Sequence, residues 1–178
     1  AKNIAYHYDL GNEFYGAWLD HTMTYSSAVF DNDNDDLATA QTNKYRRLAD
    51  LADIQPGDHV LEIGCGWGGF ARYAIEDRGA RVTGITISRE QHDFAKQRLA
   101  EAGLAGRGDV RLIDYRDLDG KFDKIVSIEM FEAVGEAYWQ TYFNAVASRL
   151  KSGGRAALQA ITIEDDAFEE YRREPDFI

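Results

Sequence analysis

Six consecutive residues, Gly64-Cys65-Gly66-Trp67-Gly68-Gly69, directly follow the short apolar run Val60-Leu61-Glu62-Ile63. This juxtaposition predicts a buried parallel strand that ends in a glycine loop and opens a helix at Phe70. Without side chains on the loop, a ligand can approach bare backbone amides at the start of that helix. The pattern describes a nucleotide-type pocket. The spacing Gly64, Gly66, Gly69 fits the dinucleotide fingerprint and by itself leaves at least two cofactors open.

Downstream of the loop, strand and helix patterns alternate. A helix from Phe70 to about Asp77 precedes a strand from Arg81 to about Thr86. Ser88 and Gln91 have the spacing of a capping box for a helix running to Gly103, with Phe94, Ala95, Leu99 and Ala102 on one face. Val110–Ile113 reads as a third strand and Phe122–Met130 holds a fourth. A helix from Glu136 to Leu150 is expected to bury Tyr138, Tyr142, Phe143 and Val146. The turn Lys151-Ser152-Gly153-Gly154 then leads to a fifth strand, Arg155 to Ile163. Repeated strand-helix pairs imply an α/β fold with a doubly wound, mostly parallel sheet and a ligand at the carboxyl ends of the strands.

Ahead of this unit, residues 1 to 30 are rich in aromatics, among them Tyr6, Tyr8, Phe14, Tyr15, Trp18 and Tyr25, without a clean period. A helical arm that packs aromatics onto the domain and a substrate lid both fit. The acidic turn Asp31–Asp36 leads into a helix with Leu37, Gln41, Lys44, Tyr45, Leu48, Leu51 and Ala52 at helical spacing, which Pro56-Gly57 terminates. The division expected is a helical N-terminal arm and lid over 1–55 and a cofactor-binding α/β part over 56–178, within one structural domain. With 20 basic against 31 acidic residues the net charge is −11, which opposes nucleic-acid binding and unaided docking on an anionic membrane. One cysteine, Cys65, excludes an internal disulfide and fits a reducing compartment, and His21, His59 and His92 fall at no metal-ligand spacing. With no apolar run near membrane-spanning length, the expectation is a soluble, cytoplasmic protein.

The choice of cofactor turns on carboxylates. A dinucleotide site places an acid at the end of the second strand to hold ribose hydroxyls, whereas this chain has Gly84-Ile85-Thr86-Ile87-Ser88 there. Acids stand instead at Glu62, just before the loop, and at Asp114, after the third strand. They suit a cationic ligand. S-adenosylmethionine carries a sulfonium and an ammonium, so Glu62 would favour its methionyl end while Asp114 and Tyr115 meet the adenine. A nicotinamide cofactor ranks behind it.

Five blocks in order, His7-Tyr8-Asp9-Leu10-Gly11-Asn12, Thr24-Tyr25-Ser26-Ser27-Ala28, Leu61–Gly69, Gly84–Ser88 and Phe131-Glu132-Ala133-Val134-Gly135, resemble the cyclopropane fatty acid synthase family of methyltransferases. The resemblance runs over nearly the whole chain. It implies the Rossmann-like class I methyltransferase fold and transfer of a methyl group from S-adenosylmethionine to the double bond of an unsaturated fatty acyl chain, usually within a phospholipid. By the same resemblance Tyr8, Tyr25, Ser26 and the loop glycines Gly64, Gly66 and Gly68 contact the methionyl part, and Thr86 and Gln91 the ribose. Glu132 matches an active-site glutamate in a pocket that holds a bicarbonate ion as base.

Methyl transfer to an alkene leaves a carbocation, so the pocket must be dry and its walls electron-rich. Tyr25, Phe30 and Phe131 are candidate cation-π partners, worth about 2 kcal/mol when desolvated. Three positions depart from the family pattern. Ser27 stands where cysteine is frequent, Ala133 where histidine is frequent, and Gln159 where the fifth strand is expected to carry histidine. The bicarbonate network therefore differs here, and a ring, a methylated chain or a methylene-bearing chain are all open as products. The resemblance also implies a lipid-facing part before this chain and two further strands after it, so the chain is expected to be truncated after the fifth strand. Transient membrane contact would come from the parts outside it; were the chain the whole molecule, the fifth strand would be an exposed edge for a homodimer to cover. Two rival readings are an amine methyltransferase on the same frame and a binding module without turnover.

Overall fold

The computed structural model describes residues 11–173 of the 178. Along the chain run α1 (Asn12–Gly16), α2 (Leu37–Ala52), β1 (His59–Ile63), α3 (Gly69–Glu76), β2 (Arg81–Thr86), α4 (Arg89–Glu101), β3 (Gly108–Leu112), β4 (Phe122–Ile128), α5 (Trp139–Arg149), β5 (Leu150–Gln159) and α6 (Asp165–Arg173). Two 3-10 turns, Phe131–Ala133 and Glu136–Tyr138, separate β4 from α5.

All five strands are parallel, in the order β3-β2-β1-β4-β5. From β1 the chain winds outward to β2 and β3 on one side, then returns to β4 and β5 on the other. The order reverses between β1 and β4, and the crevice beyond their carboxyl ends is where such sheets bind ligands. Both faces of the sheet are covered. One apolar cluster joins Leu48 and Ala52 of α2, Phe70 and Ile75 of α3 and Leu99 of α4 to Val60 and Val82; the other joins Tyr142 and Val146 of α5 to Leu61, Ile85 and Ile125. Side chains from one strand thus feed both layers, which is why β1 reads as a continuous apolar run rather than an alternation.

Helix starts follow local chemistry. Asp36 caps α2 by accepting the Thr39 amide (2.8 Å), and Ser88 caps α4 by accepting the Gln91 amide (3.2 Å), each worth about 1 kcal/mol. The rest of the expected capping box is rearranged, because Thr86 Oγ1 accepts the Ser88 amide (3.1 Å) and donates to Gln91 Oε1 (2.7 Å).

Four expectations are corrected by the structure. The Lys151–Gly154 turn is absorbed into β5 as an irregularity, with Phe122 paired to Leu150 and Lys124 to Arg155. Gly153 takes φ 76°, and a Cβ on Gly154 would lie 2.8 Å from the Asp123 carbonyl oxygen, so the glycines serve the bulge. The strand stops at Gln159, leaving Ile161 and Ile163 exposed, because its partner β4 ends at Ile128. Of the four residues expected to be buried at α5, Tyr142 and Val146, one turn apart, face the core; Tyr138, in the turn before the helix, and Phe143 are exposed. Of the helical arm, only α1 is helical among residues 11–36, the remainder being turns and irregular chain.

Candidate functional site

A cavity of about 270 Å³ opens at the carboxyl ends of β1 and β4. Its floor is the glycine loop. Gly64, Gly66 and Gly68 all have positive φ (80°, 49° and 79°), and a Cβ on Gly64 would lie 2.8 Å from Met130 Cγ. Gly84, beside Glu62 in the β1–β2 register, clears the way for the loop: a Cβ there would lie 2.9 Å from that of Cys65. Cys65 itself is buried, and burial pushes its thiol well above the usual range.

The aromatic arm fixes this loop from outside. Asn12 accepts from Trp67 Nε1 (2.6 Å) and donates to Glu90 (3.0 Å), and Tyr15, wholly buried, lies 4.8 Å from the Trp67 ring and 5.5 Å from that of Tyr25. Arg98 of α4 donates to the carbonyls of Thr22 (2.7 Å) and Trp67 (3.3 Å). In the described residues, then, the arm packs its aromatics onto the domain.

The polar groups of the cavity fall into three sets. Glu62 lines the floor, is buried, and among the described residues its Oε2 receives no hydrogen bond. Burial raises its carboxyl well above the ordinary value, offset in part by the Ala71 amide and the Lys44 charge. Lys44 is itself buried and donates to Ser26 Oγ; desolvation lowers it to about 8, against the pull of Glu129, Asp20 and Glu62. At the end of β2, Thr86 and Gln91 both line the cavity and hold each other. Beyond β3 stand Asp114 and Tyr115. Arg116 grips Asp114 through Nε (2.9 Å) and Nη2 (2.6 Å), and that pair holds the carboxyl below the usual carboxylate range.

Of the residues singled out from the sequence, Tyr25, Ser26, Glu62, Gly64, Gly66, Thr86, Gln91, Asp114 and Tyr115 line the cavity. Gly68 does not. It shapes the loop from behind, where its Cβ position lies 3.0 Å from that of Ala95. Tyr8 lies outside the described residues. Glu132 is turned away from the lining and accepts the Ile161 amide. Phe131 packs against Trp139, Tyr142 and Phe143, and Phe30 is exposed, so of the three proposed cation-π partners only Tyr25 faces the cavity.

The residue that the sequence reading missed is Glu129. It follows β4 directly, adopts φ 46°, and lines the cavity. Its Oε1 accepts the Ser27 amide (2.9 Å) and Gln159 Nε2 (2.7 Å), while Gln159 also donates to the Ser27 carbonyl (3.3 Å). Ser27 and Gln159 thus stand one step behind the wall, joined to the cavity by Glu129. A carboxylate at the end of the strand beside β1, at the reversal of strand order, was the available signal.

The whole is an apolar chamber with the Glu62 carboxylate at its floor, that of Glu129 at its wall, a hydroxyl–amide pair on one side and an acid–tyrosine pair on the other. It can hold a cationic head group, hydrogen-bond a polyol and stack a planar ring, with apolar space left over.

A family model described as mycolic acid cyclopropane synthetase matches residues 1–178. The tuberculostearic acid methyltransferase UfaA1 of Mycobacterium tuberculosis is 47% identical over 169 residues, covering 91% of this chain and 39% of its own. The cyclopropane-fatty-acyl-phospholipid synthase of Escherichia coli is 42% identical over 155 residues, covering 87% and 39%. Among solved structures, mycolic acid cyclopropane synthase CmaA1, complexed with SAH and CTAB, superposes with a TM-score of 0.82 at 33% identity, covering 85% of this chain and 53% of that one. The chain therefore spans about two fifths of the length of these two curated relatives.

Proposed function

This chain belongs to the mycolic acid cyclopropane synthetase family, and from that membership we propose that the protein transfers a methyl group from S-adenosylmethionine to the double bond of an unsaturated fatty acyl chain of a phospholipid. The observation that carries the cofactor is the buried Glu62 oxygen, without a donor among the described residues and set in a glycine cradle. A buried acceptor of this kind fits an ammonium, and its burial makes the pairing stronger than it would be in water. When bound, S-adenosylmethionine supplies an electrophilic methyl group on its sulfonium.

Residue roles follow from position. Glu62, Tyr25, Ser26, Gly64 and Gly66 hold the methionyl end, with Tyr8 added by the resemblance. Thr86 and Gln91 hold the ribose, and Asp114, oriented by Arg116, meets the adenine with Tyr115. The apolar walls, among them Ile63, Ile128, Met130 and Val134, exclude water from the developing carbocation. Tyr25 offers that cation a ring face. Glu132 remains a candidate for the catalytic set through the resemblance, acting from outside the cavity lining on the Ile161 segment.

The setting proposed is cytoplasmic and peripheral to the membrane. A net charge of −11 keeps contact with an anionic surface transient and assigns it to parts of the protein other than this chain.

The test uses the full-length protein with methyl-labelled S-adenosylmethionine and vesicles of unsaturated or fully saturated phospholipid. Label is expected in the acyl chains of the unsaturated lipid alone. Label confined to small polar amines, or equal label with saturated lipid, would overturn the reading.

A further inference from the structure

Glu129 departs from local preference. A side-chain-bearing residue at φ 46° sits in the left-handed region, which L-residues avoid, and an outlier of that sort at a cavity wall points to function. The surroundings hold it there. Its amide donates to the Gln159 carbonyl (2.9 Å), and its Oε1 receives the Ser27 amide and the Gln159 side chain. Among the described residues Oε2 receives no hydrogen bond.

Ser27 and Gln159 belong to the network to which the family resemblance assigned a bicarbonate ion. In this protein they do not fit one. Ser27 N–H and Gln159 Nε2, the donors an anion would use, are already taken by a carboxylate, and a second anion beside it would meet a like charge. The covalently held carboxylate of Glu129 presents the same chemistry as the ion, at the cavity wall.

We propose that Glu129 is the proton acceptor of the reaction, in the place of bicarbonate. The assignment rests on the methyl-transfer reading above. In that reaction the bond between methyl carbon and sulfur breaks as the methyl carbon bonds to one alkene carbon, leaving S-adenosylhomocysteine and a cation at the other alkene carbon. One C–H electron pair of the transferred methyl group then becomes the closing bond of a ring or, after a 1,2-hydride shift along the chain, the π bond of a methylene group. The proton goes to the Glu129 carboxylate, which later returns it to water. No further reactant is required.

The test compares full-length parent, Glu129→Gln and Glu129→Gly, glycine being suited to φ 46°. The parent should turn over equally fast in carbonate-free buffer and with added bicarbonate. Glu129→Gln should lose roughly 100-fold or more in kcat, within the range for a general base, and bind S-adenosylhomocysteine within about threefold of the parent because the cofactor-holding residues are untouched. Glu129→Gly should regain activity on addition of bicarbonate, and [13C]bicarbonate resonances should broaden with this variant and not with the parent. Stimulation of the parent by bicarbonate, with line broadening, would overturn the assignment while leaving methyl transfer standing. A loss of S-adenosylhomocysteine affinity that matches the loss of activity would overturn it too, making Glu129 a holder of the cofactor. If the parent transfers no methyl group to lipid, the parent reading fails and the assignment with it.

Discussion

Glu62 is buried beneath the glycine loop with one oxygen lacking a donor among the described residues, and burial raises its carboxyl well above the ordinary value of 4.5. A group raised in this way favours its neutral form in the folded protein, so its contribution to stability is full below that ordinary value and is lost as pH rises through the folded value. A cationic ligand reverses the preference, since an opposite charge favours the ionised carboxylate. Binding of S-adenosylhomocysteine is therefore expected to release a proton at pH values below the folded value. Calorimetry in two buffers of different ionisation enthalpy would give different apparent heats; equal heats would contradict the assignment. Glu62→Gln should weaken binding about 10- to 100-fold, the loss of one charge-assisted hydrogen bond at about 1.5–3 kcal/mol. At this scale the sequence was readable where chemistry and chain order coincide. Glu62, Thr86, Gln91 and Asp114 all follow or border a strand end, and all line the cavity. Glu129 was missed because its partners lie 102 and 30 residues away, at Ser27 and Gln159, and only the sheet brings them together.

At the scale of elements, the loop geometry depends on Gly84 as much as on the loop itself. Ala at this position would place its Cβ 2.9 Å from Cys65 Cβ and 3.2 Å from Sγ, inside a parallel strand that cannot yield without disturbing its register with β1 and β3. Gly84→Ala should cost about 1–3 kcal/mol, the usual range for overpacking. A lower urea midpoint and weaker S-adenosylhomocysteine binding together would bear this out, and an unchanged midpoint would refute it. Most elements were legible because their signals are local: Asp36 and Ser88 start helices, Pro56-Gly57 follows one, and β2 reads directly from Arg81 to Thr86. The misreadings came from non-local causes. Gly153 and Gly154 look like a turn until Asp123 is placed against them, and the exposure of Tyr138 and Phe143 follows from 3-10 turns that delay α5 to Trp139.

At the scale of the molecule, charge and fold set different limits. The sheet order and the reversal at β1 and β4 place a single cavity wall under the control of four strand ends, so a cofactor site was implied once alternation of strand and helix was recognised. The acceptor was not implied by that architecture, because folds of this kind host many acceptors. Among the described residues no helix is long and apolar enough to cross a membrane, and the net charge of −11 does not favour an anionic surface. In the reaction proposed, a methyl group is added to an alkene and then gives up one of its own protons. Full-length protein supplied with S-adenosylmethionine bearing a trideuterated methyl group and a monounsaturated phospholipid should yield acyl groups that have gained one carbon, as a ring or branch, and that retain two deuterium atoms. Acyl chains without deuterium would contradict methyl transfer to lipid, and chains that retain all three would contradict loss of the methyl proton to Glu129.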